Sequence, residues 1–532
     1  MKEGMKMSKK YLVYSTIITL VLAGIYYYVA LPPMNWHSPY FYFSLFLVVG
    51  CFILCNIVLS GHPFREIKKS AWTIGIVVVV CAIFVGSVAI FSPFIRADLY
   101  ASRITVREDG DFTSEISEVD FKALPLLDRE STEKLGDRVM GQMADMVSQF
   151  YVSDLYTQIN YQGNIARVTP LEYNGWIKYF TNRTTGIPGY ITVNSVTGES
   201  TLVKLNEGMR YMPSAMFNEN LYRKLRFANP TALFGQPQFE LDEAGKPFWV
   251  VPTYDYRGIG MLQDITGAII MDPVTGESNR YEVGEIPTWV DHVYDAYLIT
   301  EQVNDWGLYR GGFFNSLFGQ KNVVQTTEGY NYLAMNDDVY MYTGITSVLA
   351  DESNLGFILT NMRTKETTFY SIPGAEEFSA MDSAEGQVQQ MGYQASFPLL
   401  INLNGKPTYL LSLKDNAGLV KMYAFVDVVD YQKVVVTNAS EGIEKAAENY
   451  LGGKLNDVEV KDEDLQYVDI TISSITMATL EGNSYYYITS TDGNRYKVSL
   501  VVSDELPFLQ EGDSISAGYL TETSVTELVK IK

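Results

Sequence analysis

Three long apolar runs dominate the first hundred residues of the chain. They cover about residues 11–31, 40–59 and 71–94, and none of them contains an acidic or a basic residue. Each has about the 20 residues that a helix needs to cross the ~30 Å hydrocarbon core of a membrane. A cleavable signal peptide does not fit, because the first run lacks a small-residue cleavage site and two further runs follow it. The pattern predicts a three-helix transmembrane anchor over residues 1–94.

The charges that flank these runs predict their orientation. Lysine or arginine precedes the first run and separates the second run from the third, whereas residues 32–38 contain neither. Because positively charged flanks stay in the cytoplasm, we expect a cytoplasmic N-terminus and an extracytoplasmic location for everything after the third run. The flanking cations are Lys2, Lys6, Lys9, Lys10, Arg65, Lys68 and Lys69.

The two parts of the chain differ in the sign of their charge. Residues 1–94 carry a net charge of +5, whereas the remainder holds 33 basic and 60 acidic residues, a net charge of −27. So acidic a region is not expected to bind nucleic acid, and it would be repelled by anionic lipid. Cys51, Cys55 and Cys81 all lie in the apolar runs, so the outer region has no disulfide, as is typical of Gram-positive envelopes.

A phrase that occurs several times organises the outer region. Residues 189–200 end in Val-Thr-Gly-Glu-Ser, the same ending recurs in residues 267–278, and looser copies lie at 356–367 and 423–427. An apolar run followed by Asn or Asp and a Thr-Gly turn indicates a strand that leads into a tight turn. The expected turn and scaffold positions are Gly189, Asn194, Gly198, Gly267, Asp272, Gly276, Gly356 and Asn361.

The spacing of the copies predicts small α+β units arranged as two pairs. The first pair covers residues 152–285 and the second covers residues 286–439. A juxtamembrane connector over residues 95–151 precedes them. Within it, apolar side chains at helical spacing predict a helix at about 132–151.

The turn phrase resembles the end of a PepSY domain, in which a strand is followed by Asp-x-x-Thr-Gly-Glu. Residues 271–277 match this ending, and residues 193–199 match it with Asn194 in place of Asp. The third copy departs by placing Lys365 at the glycine position, and the fourth lacks the Thr-Gly-Glu. The resemblance implies a helix followed by antiparallel strands and, for function, modulation of an envelope protease or a part in wall-associated assembly.

The end of the chain has a different pattern. Residues 440–465 predict a short helix and a linker, and residues 466–532 are almost entirely strand-like. Five short strands in succession suit a small barrel, and their order resembles an OB-fold. OB-folds often bind nucleic acid or sugar, but the acidic charge and the outer location favour assembly or glycan contact. The predicted fold class is α+β, with three transmembrane helices, tandem PepSY-like repeats and a small all-β barrel.

Candidate catalytic and ligand-binding residues are scarce. His292 is the only histidine after residue 94, and the chain has no G-x-S-x-G elbow for a serine hydrolase. It also lacks paired cysteines and histidines for zinc, a Walker motif and an EF-hand loop. No catalytic residue, cofactor or metal site is therefore predicted. Acidic residues within 336–338, 351–352 and 376–377 keep a hydrolase with an Asp/Glu pair open.

Aromatic residues are abundant, with 38 Tyr and 26 Phe. Several lie beside Gly or Asn in predicted loops, a setting that suits contact with a glycan or a peptide. Packing between neighbouring units explains them as well, and it is the interpretation we favour. The candidate contact aromatics are Trp306, Tyr309, Phe313, Phe314 and Tyr330.

These patterns favour a non-enzymatic, membrane-anchored protein of the bacterial cell envelope that binds, regulates or scaffolds. Its expected partners are the membrane, an envelope or membrane protein, and a wall polymer. An extracytoplasmic hydrolase of wall glycans or peptides is the main alternative. A sensor or transporter subunit ranks last, because the three apolar runs contain no charged residue or histidine to line a pathway.

Overall fold

The computed structural model is a mixed α+β fold made of two compact units. One unit contains Met1–Gly110 and Ala123–Ile372, and the other contains Asp111–Lys122 and Pro373–Lys532. The structure describes residues 2–531 except 61–70, 122–123, 128, 142, 144–145, 336–337, 349–352, 453–464, 481–482, 504, 520–523 and 529.

The first unit begins with apolar helices. They are α1 (Lys2–Ala30), α2 (Pro39–Ser60), α3 (Ala71–Ile90) and α4 (Pro93–Ala101). The segments Lys10–Ala30 and Pro39–Ser60 are each long and apolar enough to cross a membrane, in agreement with the membrane anchor predicted from the first two runs. Gly75–Ile90 and Pro93–Ala101 meet at 60° and form a third candidate if the bent pair is one span. Arg65, Lys68 and Lys69 lie outside the described residues.

A connector leads from the helices to the first sheet. It contains β1 (Val106–Gly110), α5 (Phe112–Glu115), which belongs to the second unit, and α6 (Arg129–Gly141). The prediction of one helix at 132–151 is wrong in its second half, because Phe150 begins a strand that pairs with Tyr173. Met146 and Phe150 are buried although they lie beyond the helix, so helical spacing alone did not reveal the change.

The first sheet contains five strands and one short helix. They are β2 (Phe150–Val152), β3 (Thr157–Tyr161), β4 (Asn164–Tyr173), α7 (Trp176–Asn182), β5 (Ile187–Asn194) and β6 (Ser200–Met209). The two short strands β2 and β3 both pair with the long strand β4, and β4, β5 and β6 form an antiparallel meander.

The second and third sheets repeat this strand order. The second sheet is made of β7 (Leu233–Phe234), β8 (Gln238–Leu241), β9 (Pro247–Tyr256), β10 (Gln263–Met271) and β11 (Ser278–Glu282), and helix α8 (Leu221–Ala228) precedes it. In the third sheet, the repeated order is formed by β12 (Val324–Thr326), β13 (Asn331–Met335), β14 (Asp338–Ser347), β15 (Ser353–Asn361) and β16 (Thr367–Tyr370), and helix α9 (Ala296–Tyr309) precedes them. Strand β1 joins the third sheet parallel to β16.

The second unit contains a fourth sheet of the same order and a separate six-stranded sheet. The fourth sheet is made of β18 (Gln394–Ala395), β19 (Leu399–Leu403), β20 (Lys406–Lys414), β21 (Val420–Asp427) and β22 (Val434–Asn438). The short strand β17 (Gly374–Ala375), which is not part of this sheet, and α10 (Glu377–Gln387) precede it, and α11 (Ile443–Tyr450) follows it. The other consists of β23 (Gln466–Leu480), β24 (Asn483–Ser490), β25 (Arg495–Ser499), β26 (Ser514–Tyr519), β27 (Thr526–Leu528) and β28 (Lys530–Ile531). Its long strand β23 pairs with β26 through its first half and with β24 through its second.

The second sheet is buried on both faces. Trp249 and Val251 of β9 pack into a core shared with the first sheet, whereas Val250, between them, packs with α9 and the third sheet. Successive side chains of a strand point to opposite faces, so a strand buried on both sides is continuously apolar. This explains the run Phe-Trp-Val-Val in β9.

Candidate functional site

Each of the four repeated phrases ends in the same turn. One side-chain oxygen of Asn194, Asp272, Asn361 or Asp427 accepts hydrogen bonds from the backbone N–H groups two and three residues later, at 2.7–3.2 Å. Asn and Asp favour such turns because their short side chains reach their own backbone. The fourth copy keeps this cap although its Thr-Gly-Glu is lost.

The expected glycine positions have two different structural roles. Gly189, Gly267 and Gly356 lie against a neighbouring strand, where a Cβ atom would collide with a backbone carbonyl. Gly198 and Gly276 have a φ of +74° in the turn, a left-handed conformation that glycine adopts without cost. The polar groups of these turns are therefore used within the scaffold.

Lys365 takes the place of the turn glycine in the third phrase, and its φ is +67°. Its ammonium group donates to Asp264 at 2.7 Å and to the backbone carbonyl of Arg103 at 3.0 Å. The lysine therefore connects the turn of the third sheet to the second sheet and to the segment that leaves the membrane helices.

The candidate contact aromatics are dispersed. Trp306 is buried, Tyr309 packs on Tyr100, and Tyr330 packs against other tyrosines. Phe313 and Phe314 instead lie 5.4 and 5.9 Å, between ring centroids, from Phe94, which follows α3. Of these five aromatics, only Phe314 is a largely exposed side chain, at 63%.

The candidate acidic groups within the described residues are engaged in structural contacts. Asp338 pairs with Arg363 at 2.7 Å, and Glu377 is fully buried at the start of α10. Residues 336–337 and 351–352 lie outside the described part of the chain. A pair that sequence reasoning missed, Glu301 and Asp305, binds the buried guanidinium of Arg103. Burial raises the pKa of Asp305 to about 6, although Arg103 opposes this shift.

His292 belongs to a buried polar cluster where the first three sheets meet. Its Nε2 atom lies 2.7 Å from the backbone carbonyl of Gln158, and its ring packs edge-on against Tyr332. Glu240, on β8, accepts backbone hydrogen bonds from Asp291 at 2.8 Å and from His292 at 3.1 Å. Burial raises the pKa of Glu240 to about 8 and lowers the pKa of His292 to about 4. These contacts fix the loop before α9.

An open cleft of about 360 Å³ lies between the α1–α2 loop and the second sheet. We call it the membrane-proximal cleft. Its residues come from five stretches of the chain and include threonine, aromatic and charged side chains. They are Met34, Asn35, Trp36, His37, Thr231, Ala232, Leu233, Thr253, Tyr254, Asp255, Thr266 and Arg280.

Hydrogen bonds hold the two walls of the membrane-proximal cleft together. The Met34 amide donates to the Pro230 carbonyl at 2.9 Å, and the Asn35 side chain donates to the Thr231 carbonyl at 3.1 Å. His37 Nδ1 lies 2.9 Å from Asp255 Oδ1. The α1–α2 loop is therefore positioned by both backbone and side-chain contacts.

Two arginines of α8 extend this attachment to the end of α1. Arg223 donates to the Tyr28 carbonyl at 3.1 Å, and its guanidinium lies 4.3 Å from the centroid of the Tyr28 ring. Arg226 donates to the Leu31 carbonyl at 3.0 Å. The last carbonyl groups of a helix have no hydrogen-bond partner within the helix, and the two arginines supply donors there. Arg223 also gains a cation–π contact with the Tyr28 ring.

The β9–β10 hairpin, residues 257–262, inserts between the ends of α2 and α3. The Ile259 amide donates to Ser87 Oγ at 3.0 Å. Gly258, with a φ of +85°, lies directly against Phe91, and Gly260, with a φ of +69°, lies against Pro39. A side chain at either glycine would meet the membrane helices. In the sequence, the Gly-x-Gly spacing of Gly258 and Gly260 lacks the third glycine of a dinucleotide-binding loop and does not indicate this contact.

The chemistry of the membrane-proximal cleft suits a polar or amphipathic ligand. Trp36 is 64% exposed and its ring lies 3.9 Å from that of His37. Thr253 and Thr266 provide hydroxyl groups and Arg280 provides a cation, so stacking, hydrogen bonding and charge are all available. Within the described ranges, no group of three His, Cys, Asp or Glu side chains could hold a metal ion.

Sequence reasoning did not identify the membrane-proximal cleft. In the sequence, residues 32–38 stand out only because they separate two apolar runs without any Lys or Arg. His37 is one residue of this stretch, and nothing near it in the sequence indicates a binding site. The contributing stretches are about 200 positions apart in the chain, and no local pattern connects them. Compared with known proteins, the chain matches no family model and no curated protein.

Proposed function

We propose that this protein is a membrane-anchored, non-enzymatic binding or scaffold protein of the bacterial envelope. Three spans hold an extracytoplasmic region of four PepSY-like units and an OB-like barrel, with the N-terminus in the cytoplasm. The membrane-proximal cleft receives a juxtamembrane segment of an envelope or membrane protein. Regulation of that partner, or its assembly into a larger complex, is the function that follows.

The membrane-proximal cleft carries this proposal. One wall belongs to the loop between two apolar helices, and the other belongs to the folded outer region. Because hydrogen bonds fix the two walls to each other, a ligand in the cleft contacts the membrane loop and the second sheet together. A site of this kind selects partners that are themselves close to the membrane.

The proposed topology is supported by the same attachment. The α1–α2 loop bonds to the second sheet through Met34 and Asn35, and Ser87, near the end of α3, bonds to the β9–β10 hairpin. The α1–α2 loop and the end of α3 therefore both face the globular region. Three spans agree with this arrangement and with the charge pattern. The cation-rich segments, before α1 and between α2 and α3, lie at the ends of the helices that face away from the globular region.

Site-specific photo-crosslinking in intact membranes tests the binding function. A photoreactive amino acid at Thr231, an exposed residue of the cleft, should form a discrete crosslinked product. The matched control is Glu207, an exposed residue of β6 outside the cleft, which should not form that product. Adding Trp36→Ala should weaken the Thr231 product. Equal products from both positions, or none at Thr231, would refute the proposal.

Cysteine labelling tests the topology. In a variant with Cys51, Cys55 and Cys81 changed to alanine, single cysteines replace Lys10 or Glu285. An impermeant thiol reagent added to intact cells should label the Glu285→Cys protein and leave the Lys10→Cys protein unlabelled until the membrane is opened. The reverse pattern would contradict the proposed orientation.

A further inference from the structure

Two groups of exposed apolar side chains lie beside the ends of the membrane helices. The third-helix patch consists of Phe94, Phe314, Leu317 and Phe318, which are 56–75% exposed. The first-helix patch consists of Trp176, Ile177, Phe180 and Phe217, which are 46–61% exposed. Single exposed apolar residues are ordinary on protein surfaces, but clusters of them mark interaction sites.

The third-helix patch is joined to the membrane helices by direct ring contact. Phe94 lies in the first turn of α4, and Phe314 packs against it and stacks on Phe318 with an interplanar angle of 11°. The side chain of Asn315 closes the intervening turn through hydrogen bonds with the backbone of Lys321 at 3.0 and 3.2 Å. The turn therefore displays its exposed rings in a fixed arrangement.

The first-helix patch is joined to α1 through Arg223. This arginine donates to the Phe217 carbonyl at 2.6 Å and to the Tyr28 carbonyl at 3.1 Å. Phe217 has a φ of +50°, a conformation that costs a non-glycine residue energy, and it is held there in contact with Phe180. The exposed ring of Phe217 is therefore held in a fixed position beside the end of α1.

We propose that both patches insert into the outer interface of the bilayer and bind phospholipid. Phenylalanine and tryptophan beside lysine and arginine are typical of that interface. In the sequence, Lys178 and Arg183 are neighbours of the first-helix patch, and Arg310 and Lys321 are neighbours of the third-helix patch. These local cations offset the acidic charge of the region as a whole.

Continuity with the helices favours lipid as the occupant over a protein. The patches lie near the ends of two different helices: Phe94 of one follows α3 and contacts Phe314, and the other is joined to the end of α1 through Arg223. A bilayer that surrounds the spans would meet both patches. The proposal rests on the proposed three-span arrangement, because Phe94 follows the third of these helices.

Spin labelling tests the proposal on the full chain in phosphatidylcholine nanodiscs. In the variant without native cysteines, the label is placed by Phe318→Cys, Phe180→Cys or Ala244→Cys. Ala244 is the matched control, because it precedes β9 at the end opposite the hairpin, about 30 Å away for a ten-residue strand. Collisions with oxygen, which concentrates in lipid, are compared with collisions with a water-soluble nickel chelate.

We expect labels at positions 318 and 180 to favour oxygen over the nickel chelate several-fold relative to the label at 244. A patch whose label behaves like the one at 244 does not bind lipid, so each patch is accepted or rejected by its own label. A fourth label, Val79→Cys, reports on α3, where Val79 is 58% exposed. If that label favours the chelate, the three-span arrangement fails independently of the patches.

Discussion

Lys365 Nζ lies 2.7 Å from Asp264 Oδ1, and this ion pair connects the third sheet to the second. The lysine side chain is 17% exposed and the aspartate 31%, so the pair is shielded from solvent. In the sequence, Lys365 looked like the decay of a repeated turn. The structure gives it a bond that a glycine could not make, although the residue retains the left-handed backbone of the glycine that it replaces.

Lys365 therefore offers a test that separates backbone strain from the ion pair. Lys365→Met keeps the strain and removes the cation, so we expect it to lower the free energy of unfolding by about 1–2 kcal/mol. Lys365→Gly also removes the cation but relieves about 1 kcal/mol of left-handed strain, so it should be the milder change. Thermal unfolding of the full protein in detergent measures the order. A methionine variant more stable than the glycine variant would contradict this account.

Gly258 tests the contact between the β9–β10 hairpin and the membrane helices. Gly258→Ala adds a Cβ atom that would lie 2.7 Å from Phe91, whereas Gly163→Ala, at a similar positive φ, adds one in open space. Both variants carry the same backbone penalty of about 1 kcal/mol, and only the first carries an overpacking cost of about 1 kcal/mol more. Hydrogen exchange should increase at residues 257–262 in Gly258→Ala alone. Equal exchange in the two variants would show that Phe91 does not constrain the hairpin.

Asp272 tests the turn cap, because it accepts two backbone N–H groups and pairs with Lys246 at 2.8 Å. Asp272→Asn keeps the cap and loses only the ion pair with the half-exposed lysine, so its effect should be below about 0.5 kcal/mol. Asp272→Ala loses both and should cost about 1–2 kcal/mol, as for a lost helix cap. Chemical unfolding of the two variants side by side measures the difference, and equal losses would argue against the cap.

Glu240 predicts a loss of stability at mildly alkaline pH. In the unfolded state Glu240 loses its proton above pH 4.5, its ordinary pKa. In the folded state, where burial raises the pKa to about 8, Glu240 keeps its proton between pH 6.5 and 8. The folded state then binds more protons, so its stability falls as pH rises, by about 2 kcal/mol over this window. Glu240→Gln should flatten the dependence, as followed by unfolding midpoints at pH 6.5 and 8.

His292 gives the control for that experiment. Its pKa is lowered from 6.5 to about 4, so the unfolded state binds its proton first and His292 favours unfolding as pH falls through that range. Between pH 4.5 and 6.5 this effect and the Glu240 effect oppose each other, and the net slope is small. His292→Gln should leave the loss between pH 6.5 and 8 intact. If that loss survives Glu240→Gln instead, another group is responsible.

The sequence was most informative where the pattern is local. The first two apolar runs agree with the candidate spans Lys10–Ala30 and Pro39–Ser60, whereas the third is divided by a 60° bend. The repeated phrases indicated strands that the structure has as β5, β10, β15 and β21. The helix predicted at 132–151 ends at Gly141, and its last predicted residues, from Phe150, pair instead with β4, a partner that lies further along the chain. The end of the chain, predicted as five short strands, has six strands in its described residues, and the last two, β27 and β28, pair with different strands.

The candidate site could not have been predicted in the same way. Asn35 and Thr231 have no shared motif, and their bond depends on how the second sheet is oriented over the helices. The glycines Gly258 and Gly260 carry no such information by themselves, since glycine allows close approach to a ligand or to another part of the chain equally well. Only the fold determines which of these applies.

The distance along the chain between the two walls of the membrane-proximal cleft has a consequence for biogenesis. The ribosome makes the Asn35 wall early, and Thr231 emerges 196 residues later. At about 5–20 residues per second, some 10–40 seconds of synthesis separate the two walls. A nascent or truncated chain therefore has the α1–α2 loop but no completed site, and a partner that requires both walls recognises only molecules in which the second sheet has folded against that loop.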